Sequence, residues 1–340
     1  MNARDYAKNP YLQRQCTNLL KEKVDEEIVE KFDVKSLSSA SDAICVADLG
    51  CAAGPNTFIA MNNVIKVMEQ KYQIQCPDSQ MPRFQVFFND LALNDFNILF
   101  TSLPQDRQYF VAGVPGSFYE QLFPDSSIHF VHTSYAMHWL SKLPKELQAW
   151  NKGRIHYTNA PHEVVNAYSI QFAMDVENFL KARAKELVAA GMMIIIMPAC
   201  QNGMPYSSLP AGVMFDVMAS SLMEMVEEGL ISETQVDSLN YPWYAASSKE
   251  MVELIEGNGS FSIERMELTV ASTFIRGRIN IKEWTTHSKV TMEGHLLEHL
   301  EIEVIDEMFN RVIIKLLKCY KHLESTLKNA LQLLLVLKCK

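Results

Sequence analysis

The segment best suited to chemistry is residues 44–57, which read ICVADLGCAAGPNT. Its apolar start predicts a short strand that ends in Asp48, and Gly50 and Gly54 predict a tight turn into a helix. Such a turn presents backbone amides and one carboxylate at the carboxyl end of a strand, where open α/β sheets bind nucleotides. The segment therefore predicts a ligand site at the edge of a sheet.

The glycine spacing indicates which ligand would bind. The segment does not have the Gly-x-Gly-x-x-Gly pattern of dinucleotide sites, so an NAD-linked reductase is a weak alternative. It also lacks the Gly-Lys-Ser/Thr ending of a phosphate-binding loop. An acid followed by Leu-Gly-x-x-x-Gly instead favours a ligand with a cationic amino acid end, namely S-adenosylmethionine. Asp48 would face its ammonium group directly or through water. The alternative is an ordinary strand-to-helix turn in which Asp48 only caps the helix.

Two further segments carry side chains that would complete a nucleotide site. Asp90 follows a second apolar run, where a carboxylate would bind ribose hydroxyls, although it lies 42 residues after Asp48 instead of the roughly 20 of the simplest dinucleotide unit. Residues 113–119 read GVPGSFY and predict a loop in which Ser117 and Phe118 would hold and stack on an adenine. Taken alone, both segments would also suit ordinary turns.

An unusual cluster, SYAMHW at residues 134–139, follows the apolar run 128–132. Tyr135, His138 and Trp139 would therefore stand near a strand end, where side chains meet a substrate. The polar atom of a buried tyrosine or tryptophan is usually hydrogen-bonded, and an indole N–H can donate to a carboxylate. His129 and His132 lie within the strand itself, and we interpret them as core histidines.

The sequence shows few of the common catalytic devices. No His/Cys/Asp spacing around this cluster suits a catalytic zinc, and no Gly-x-Ser-x-Gly elbow supplies a nucleophilic serine. Asn166, Asp237 and Asn240 are oxygen donors near helix or loop ends that would suit a magnesium ion. Asparagine and aspartate also favour turns for local reasons, which is the simpler explanation of these three residues.

Composition and charge argue against several classes of protein. The 340 residues are 48% apolar and carry a net charge of −9 without a run of lysine and arginine, so neither a nucleic acid nor a membrane is an expected partner. Seven scattered cysteines without a Cys-x-x-Cys pair indicate reduced thiols in a cytoplasmic protein. No signal peptide is visible, and the longest apolar runs, 192–197 and 333–337, are too short to span a bilayer.

Strand-like and helical runs alternate through the first 200 residues. Residues 84–88 and 128–132 predict strands, and a long helix over about 167–190 leads through Gly191 into a strand over 192–197. This alternation predicts an α/β fold with a mostly parallel, Rossmann-like sheet and helices on both faces. Ligands would then bind at the carboxyl ends of the strands.

The pattern changes after Pro198 and predicts an inserted helical cap. Helical spacing returns over 212–228 and 249–256, before strands over 262–268 and 333–337, and a further amphipathic region covers about 290–329. We therefore divide the chain into three parts. They are a core over 1–200 with an N-terminal lid over 1–30, a cap that forms the substrate pocket over 201–260, and the last core strands with further cap helices over 261–340.

Together these segments resemble the plant SABATH methyltransferases, which transfer the methyl group of S-adenosylmethionine to small carboxylic acids or, in the caffeine branch, to a purine nitrogen. The resemblance covers nearly the whole chain, from Tyr6 to the last strand. The matching runs are Tyr6-Ala-Lys-Asn9 with Gln13, Ala47-Asp-Leu-Gly-Cys-Ala-Ala-Gly-Pro-Asn-Thr57, Phe88-Asn-Asp-Leu91 with Asn94-Asp-Phe96, Pro115-Gly-Ser-Phe-Tyr119, Ser134-Tyr135 with Trp139-Leu-Ser141, Asn151-Lys-Gly153, Asn166-Ala-Tyr168 and Glu228-Gly-Leu230.

The resemblance implies a Rossmann-like methyltransferase, a homodimer and a role for each matching residue. Its cofactor contacts fall on Tyr6, Gln13, Asp48, Cys51, Asn56, Asp90, Leu91, Ser117 and Phe118. The substrate carboxylate would sit between the Gln13 amide and the Trp139 indole, in a pocket shaped by Tyr135, His138, Met214, Phe215, Trp243 and Tyr244. A magnesium site known in some members would fall on Asn166, Asp237 and Asn240, with the carbonyl oxygen of Leu239 as a further ligand.

The implied reaction needs no general base. A carboxylate is already nucleophilic at pH 7 and the sulfonium of S-adenosylmethionine is a strong electrophile, so catalysis is mostly alignment, which is worth about 7–11 kcal/mol. The absence of an obvious base or nucleophile in this sequence agrees with that mechanism.

Three departures from the family pattern leave the substrate and the activity open. The chain begins Met1-Asn-Ala-Arg-Asp5 without the Met-x-Gly-Gly stretch of its relatives, and Pro10 replaces a usual serine. Residues 138–157 look most like the iridoid-acid methyltransferases, yet Phe215 and Trp243 stand where those enzymes carry polar residues, which would suit a flatter, less hydroxylated acid. The alternatives are N-methylation of a xanthine and a non-catalytic protein that binds S-adenosylmethionine or an acid, owing to a truncated N-terminus.

Overall fold

A single mixed sheet forms the centre of the molecule. The computed structural model describes residues 11–40, 43–145, 147–271 and 279–340, with side chains from residue 19 onward except at 38–40, 148 and 149. The strands run in the order β3-β2-β1-β4-β5-β8-β7, with β6 paired to the end of β5. They are β1 (Ala43–Leu49), β2 (Arg83–Asp90), β3 (Phe110–Pro115), β4 (Ile128–Ser134), β5 (Leu187–Cys200), β6 (Ala246–Ser247), β7 (Phe261–Val270) and β8 (Leu331–Cys339).

Strands β1 to β5 are parallel, whereas β8 pairs antiparallel with both β5 and β7. A parallel neighbour requires a long crossover, and helices supply those crossovers. The predicted α/β fold with a Rossmann-like sheet is confirmed, and none of the described helices is long and apolar enough to cross a membrane. The helices are α1 (Tyr11–Lys31), α2 (Val34–Ala40), α3 (Pro55–Gln75), α4 (Phe96–Thr101), α5 (Leu147–Trp150), α6 (His162–Glu186), α7 (Pro210–Glu227), α8 (Glu233–Ser238), α9 (Ser248–Asn258), α10 (Ile281–Leu296), α11 (Ile302–Lys318) and α12 (Tyr320–Thr326).

Strand β8 shows why both faces of the sheet are covered. Successive side chains of a strand point to opposite faces. Leu333, Leu335 and Leu337 join a core with α6 and α9, whereas Leu334 and Val336 join a core with α1 and α3 on the other face. An apolar run with no polar alternation is therefore what a strand buried on both sides requires.

A third cluster of buried side chains belongs to the helices that follow the parallel strands. Met218 and Leu222 of α7, Leu296 of α10 and Phe309 and Val312 of α11 pack there together. This cluster supplies one wall of a cavity at the carboxyl ends of β4 and β5. The predicted division at residues 200 and 260 stays a prediction, and the structure adds that residues 281–326 join the same helical cluster.

Two sequence-based boundaries were wrong. The long helix ends at Glu186, and β5 begins at Leu187, because Leu187 already pairs with Ile128 of β4 before a register shift. Gly191 therefore lies inside the strand, next to Ala190 with a φ of 62°. Residues 113–115, predicted as loop, are the end of β3, which pairs with β2 through Gly113 opposite Phe88.

Candidate functional site

The predicted glycine loop joins β1 to α3 and is held against the end of β2. Gly50 has a φ of 77°, and a Cβ on it would lie 2.3 Å from the Cβ of Ala136, so only glycine suits this position. The amides of Gly50 and Cys51 both donate to the carbonyl oxygen of Asn89 at 2.9 Å. Helix α3 starts after Gly54 without a side-chain cap, which leaves amides at its positive end for a ligand.

Asp48 is buried and has both carboxylate oxygens in hydrogen bonds. Its Oδ1 lies 2.7 Å from Nδ1 of His132, and its Oδ2 accepts the hydroxyl of Thr57. Asp48 and His132 are register partners on the neighbouring strands β1 and β4. His132, which we interpreted as a core histidine, is thus buried as expected but also fixes the acid of the loop.

A cavity surrounds this loop and contains three of the predicted cofactor residues. Asp48, Cys51 and Asn56 line it, and we call it the loop cavity. Burial, together with the charges of Asp90 and Asp48, raises the pKa of the Cys51 thiol well above its usual range. The thiol that lines the loop cavity is therefore uncharged. The remaining lining residues include Lys21, Asp25, Gly50, Gly54, Thr57, His132, Ser134 and Tyr135. Backbone amides, a buried acid and an apolar wall fit the amino acid end of S-adenosylmethionine.

Asp90 and Leu91 lie beside the loop but do not line the loop cavity. Asp90 accepts the amides of Ala52 at 2.7 Å and Leu91 at 2.8 Å. Burial raises the pKa of the Asp90 carboxyl, while those two amides lower it. Leu91 is exposed. Both residues stand at the carboxyl end of β2, where the sequence had placed them.

Ser117 and Phe118 lie just beyond β3, in a segment that a buried ion pair fixes. Arg183 of α6 is fully buried, pairs with Glu186 at 2.7 Å and donates to the carbonyl oxygen of Phe118 at 2.7 Å. The Phe118 ring lies 3.5 Å from the position of a Cβ built on Gly50. Ser117 accepts the amide of Tyr119 at 3.3 Å.

The two predicted contacts nearest the N-terminus cannot be placed. Tyr6 lies outside the described residues. Gln13 belongs to α1, but its side chain is outside the described part of the chain.

A second cavity adjoins the loop cavity through Tyr135, which lines both. This cavity of about 230 Å³ contains Tyr135, His138, Trp139, Phe215 and Trp243 of the predicted substrate pocket, and we call it the aromatic cavity. Tyr135 has a φ of 55°, and its hydroxyl donates to Oε1 of Gln332 at 2.7 Å. An isolated antiparallel bridge joins Trp139 to Trp243.

Met214 and Tyr244 are not among the described residues that line the aromatic cavity. Met214 is buried in the third cluster, on the same helix as Phe215 but turned away from the cavity. Tyr244 is buried in the core next to Phe172, and its hydroxyl donates to Glu250 at 2.7 Å. Adjacent positions of a helix point in different directions, which explains why Phe215 lines the cavity and Met214 does not.

Sequence reasoning missed much of the opposite wall. Tyr241 lines the aromatic cavity, as do residues of α10 that recur at helical spacing. That spacing indicates one face of a helix, yet it cannot tell a cavity wall from a core. The missed lining residues include Trp284, His287, Ser288, Thr291, Met292 and Asn329.

Two residues that line the aromatic cavity each carry a buried polar atom without a hydrogen-bond partner among the described residues. The atoms are Nδ1 of His138 and the hydroxyl oxygen of Tyr241. Burial lowers the pKa of His138 to about 3 and raises that of Tyr241 well above its usual range, so both side chains are neutral near pH 7. Because an unpaired buried polar group costs about 1–3 kcal/mol, these two atoms would suit hydrogen bonds to a polar ligand or a water.

His156 supports the aromatic wall from behind. Its ring stacks on Phe215 with centroids 4.0 Å apart, and its Nε2 donates to the carbonyl oxygen of Trp243 at 3.0 Å. Burial lowers the pKa of His156 to about 3. A neutral imidazole thus holds two aromatic side chains of the aromatic cavity in place.

Two oxygen donors of the predicted magnesium site are already engaged. Asp237 Oδ2 lies 2.7 Å from Nζ of Lys152, and its Oδ1 accepts the amide of Gly153 at 2.9 Å. The side-chain oxygen of Asn240 accepts from Asn151 at 2.7 Å. A cation would have to displace both Lys152 and Asn151.

The other two members of that set have different surroundings. Asn166 is exposed on α6 and lines a separate depression, whereas Leu239 is fully buried. As arranged, the four residues do not fit a magnesium ion, because Lys152 already places a positive charge on Asp237 and Asn166 lines a separate depression.

Comparisons with known proteins cover the entire chain. A family model described as SAM dependent carboxyl methyltransferase matches residues 1–340. Loganic acid O-methyltransferase from Catharanthus roseus is 40% identical over an alignment of 347 positions, which covers 100% of this chain and 92% of that protein. Paraxanthine methyltransferase 2 from Arabidopsis thaliana is 35% identical over an alignment of 341 positions, which covers 98% of this chain and 95% of that protein. The solved structure of loganic acid methyltransferase with SAH superposes with a TM-score of 0.94 at 40% identity, over 98% of this chain and 96% of that one.

Proposed function

The chain belongs to the SAM-dependent carboxyl methyltransferase family, and we propose that its loop cavity holds the methyl donor and its aromatic cavity holds a small plant carboxylic acid. The observation that carries this proposal is that the two cavities meet at Tyr135. Two ligands bound there would adjoin at the carboxyl ends of β1, β4 and β5, where open α/β sheets place their chemistry.

The reaction is a direct displacement. When bound, S-adenosylmethionine supplies a methyl group attached to a positively charged sulfur. A carboxylate oxygen of the acid forms the new bond to the methyl carbon as the bond from carbon to sulfur breaks, which gives a methyl ester and S-adenosylhomocysteine. No proton moves, so no general base is required, and the neutral His138 of the aromatic cavity agrees with that. The protein aligns the reactants and excludes water.

We assign the donor contacts by the family pattern and by the loop cavity. Asp48, Cys51 and Asn56 would contact the amino acid end, since they line the loop cavity beside the start of α3. The nucleoside would extend toward the ends of β2 and β3. The proposed contacts there are Asp90, Leu91, Ser117 and Phe118, and the N-terminal contacts are Tyr6 and Gln13.

We assign the acid contacts in the same way. The carboxylate would lie between Gln13 and the Trp139 indole, with the rest of the acid between Phe215 and Trp243. The unpartnered His138 Nδ1 and Tyr241 hydroxyl would bind a second polar group of the acid. The proposed substrate class is therefore a small acid with a flat or apolar body and one further hydrogen-bonding group.

The first experiment incubates the protein with methyl-labelled S-adenosylmethionine and a panel of acids plus xanthosine. The panel contains salicylate, benzoate, jasmonate, indole-acetate, gibberellin, farnesoate and loganate. We expect label in an organic-extractable ester that base hydrolyses. Label that resists base, on xanthosine alone, would contradict carboxyl methylation, and donor binding without transfer to any acid would favour the non-catalytic alternative.

A variant tests the assignment of a second polar group. Tyr241→Phe removes one hydroxyl and keeps the ring, so we expect KM to rise about tenfold for the acid that uses this group. The KM for a matched acid without that group should stay unchanged. Tyr168→Phe, a buried tyrosine outside the cavity lining whose hydroxyl donates to the Tyr241 carbonyl at 3.0 Å, is the control for general loss of stability. Equal effects on both acids would contradict the assignment.

N-methylation of a xanthine is the second candidate. The relative named for paraxanthine is 35% identical over nearly the whole chain, and two neutral polar groups in an aromatic cavity would also suit a purine. The family assignment favours the carboxylate, and the base stability of the labelled product separates the two.

Three further properties complete the proposal. We propose a cytoplasmic protein with reduced thiols, on the basis of free cysteines such as Cys76 and Cys319. A homodimer is supported by exposed apolar side chains of Ile170 and Met174 on α6, and light scattering in solution would test it. Magnesium has no step in the proposed reaction, so chelation with EDTA should leave the turnover number unchanged.

A further inference from the structure

A cluster of metal-ligating side chains lies at the carboxyl end of α10, outside the lining of both cavities. The run His295-Leu-Leu-Glu298-His299 brings two imidazoles and a carboxylate together, with one ligand atom of each within 4.8 Å of the others. Nδ1 of His295 is 3.8 Å from Oε2 of Glu298, and the centroids of the two imidazole rings are 5.3 Å apart. Positions three and four residues apart share one side of a helical turn, which explains the convergence.

Hydrogen bonds fix the tautomer of both imidazoles. Nε2 of His295 lies 2.9 Å from the carbonyl oxygen of Asn240, which can only accept, so Nε2 carries the proton and Nδ1 keeps its lone pair. Nδ1 of His299 lies 3.2 Å from the hydroxyl of Ser238, whose own proton goes to the carbonyl of Gln235 at 2.8 Å. His299 therefore donates from Nδ1 and keeps the lone pair on Nε2.

This arrangement is the one that metal-bound histidines use. Such histidines almost always donate their second ring nitrogen to a carbonyl, a carboxylate or another acceptor, which orients the ring and sets the tautomer. His295 and Glu298 differ in access, with side chains 18% and 72% exposed. A half-buried imidazole and an exposed carboxylate leave a solvent-facing position for water in a tetrahedral shell.

We infer that His295, Glu298 and His299 form a zinc site at the carboxyl end of α10, whose two imidazoles are oriented by hydrogen bonds to Asn240 and Ser238. Two imidazole nitrogens, one carboxylate oxygen and a water would complete a tetrahedral shell, for which zinc is the suitable divalent cation. The hard-oxygen magnesium set described above shares no ligand atom with this site, although the carbonyl of Asn240 orients His295.

The position of the site gives it a structural role in the aromatic cavity. Helix α10 supplies Trp284, His287 and Met292 to the cavity wall, and the ring of Tyr241 lies 5.4 Å from that of His295. A zinc ion would fix both imidazoles in the orientation in which they hydrogen-bond Asn240 and Ser238, next to Tyr241. It would therefore stabilise the wall of the aromatic cavity without taking part in methyl transfer.

Zinc titration of the full chain tests the inference. In isothermal titration calorimetry under a mild phosphine reductant, we expect the wild type to bind one more equivalent of Zn²⁺ than His299→Ala. Co²⁺ in place of Zn²⁺ should give the visible absorption of a tetrahedral nitrogen and oxygen shell. His322→Ala removes an exposed histidine elsewhere and should bind zinc as the wild type does. Binding of S-adenosylhomocysteine checks that each variant is folded.

Two further variants keep the test decisive. Glu298→Gln changes an exposed side chain, cannot disturb the core, and should weaken zinc binding. Ser238→Ala removes the partner of His299 and should weaken it by about tenfold, as loss of an outer-shell partner usually does. Zinc should also raise the melting temperature of the wild type and not of His299→Ala. Equal zinc stoichiometry and affinity in the wild type, His299→Ala and Glu298→Gln would overturn the inference and leave the proposed methyl transfer untouched.

Discussion

Asp48 shows how a single buried acid can serve both the fold and a ligand. Each carboxylate oxygen has two lone pairs, so the bonds to His132 and Thr57 leave acceptor capacity for a ligand in the loop cavity. We expect Asp48→Asn to weaken S-adenosylhomocysteine binding by about tenfold or more, because a hydrogen bond to a charged group is worth about 1.5–3 kcal/mol. Isothermal titration calorimetry would measure the dissociation constant of S-adenosylhomocysteine for both proteins. Asp78→Asn, at an exposed acid, is the control, and an unchanged dissociation constant in Asp48→Asn would contradict the assignment.

Trp139 is the residue that we expect to separate acid binding from donor binding. It lines the aromatic cavity next to His138, and the family pattern gives its indole N–H to the substrate carboxylate. We expect Trp139→Phe to raise the KM for the acid by about tenfold, the usual effect of losing one bond to a charged group, while donor affinity stays the same. Trp150→Phe, at a half-exposed tryptophan on α5, should change neither value. A rise in the dissociation constant of the donor alone would argue against this role.

Which polar residues line the two cavities was only partly predictable. Asp48 and Trp139 could be identified from the sequence, because both follow apolar strands in recognisable runs. His132 looked like a core residue, since nothing local reveals that β1 and β4 are neighbours and bring it to Asp48. Tyr241 gave no signal at all. Its buried, unpartnered hydroxyl depends on how the segment between α8 and β6 packs against α7 and α10, and no single stretch of sequence specifies that packing.

At the scale of elements, the packing of α7 decides the shape of the aromatic cavity. A Cβ on Gly212 would lie 2.1 Å from the carbonyl oxygen of Tyr206, which is backbone and cannot swing away. We expect Gly212→Ala to destabilise the protein by about 1–3 kcal/mol, the usual cost of overpacking, and to raise the KM for the acid, since Phe215 follows on the same helix.

Gly257 provides the matched control on α9. A Cβ there would meet nothing within 4 Å. Gly257→Ala should therefore be neutral or stabilise the protein by up to about 1 kcal/mol, because alanine is the better helix former. Urea unfolding of both variants measures the difference, and equal stabilities would show that α7 can move away from Tyr206.

The boundaries of elements depended on neighbours that the sequence cannot name. Apolar periodicity located α3, α7 and the centres of β5 and β8, because each of those elements buries its own pattern. Periodicity placed Leu187 in the helix, whereas this residue belongs to β5 because it pairs with Ile128 of β4. It failed again at β3, whose glycine and proline look like loop until β2 pairs with them.

At the scale of the whole molecule, two buried histidines link stability to pH. Burial lowers the pKa values of His138 and His156 to about 3, whereas an unfolded chain binds their protons near pH 6.5. Between pH 6.5 and 3 the unfolded state therefore binds more protons than the folded state, so stability is full above pH 6.5 and falls as the pH drops. At pH 5 each histidine should cost about 2 kcal/mol relative to pH 7.

Urea unfolding at pH 7 and pH 5 measures that loss. His156→Gln should lose less stability than the wild type on going from pH 7 to pH 5, by about 2 kcal/mol, even though it removes the stacking on Phe215 and is less stable at pH 7. His322→Gln, at an exposed histidine, should follow the wild type. Should the wild type and His156→Gln lose equal stability, the pKa of His156 in the folded protein must lie close to its unfolded value instead of far below it. The buried imidazole would then take up a proton by pH 5 in the folded protein, and its hydrogen bond to the Trp243 carbonyl would become that of a cation.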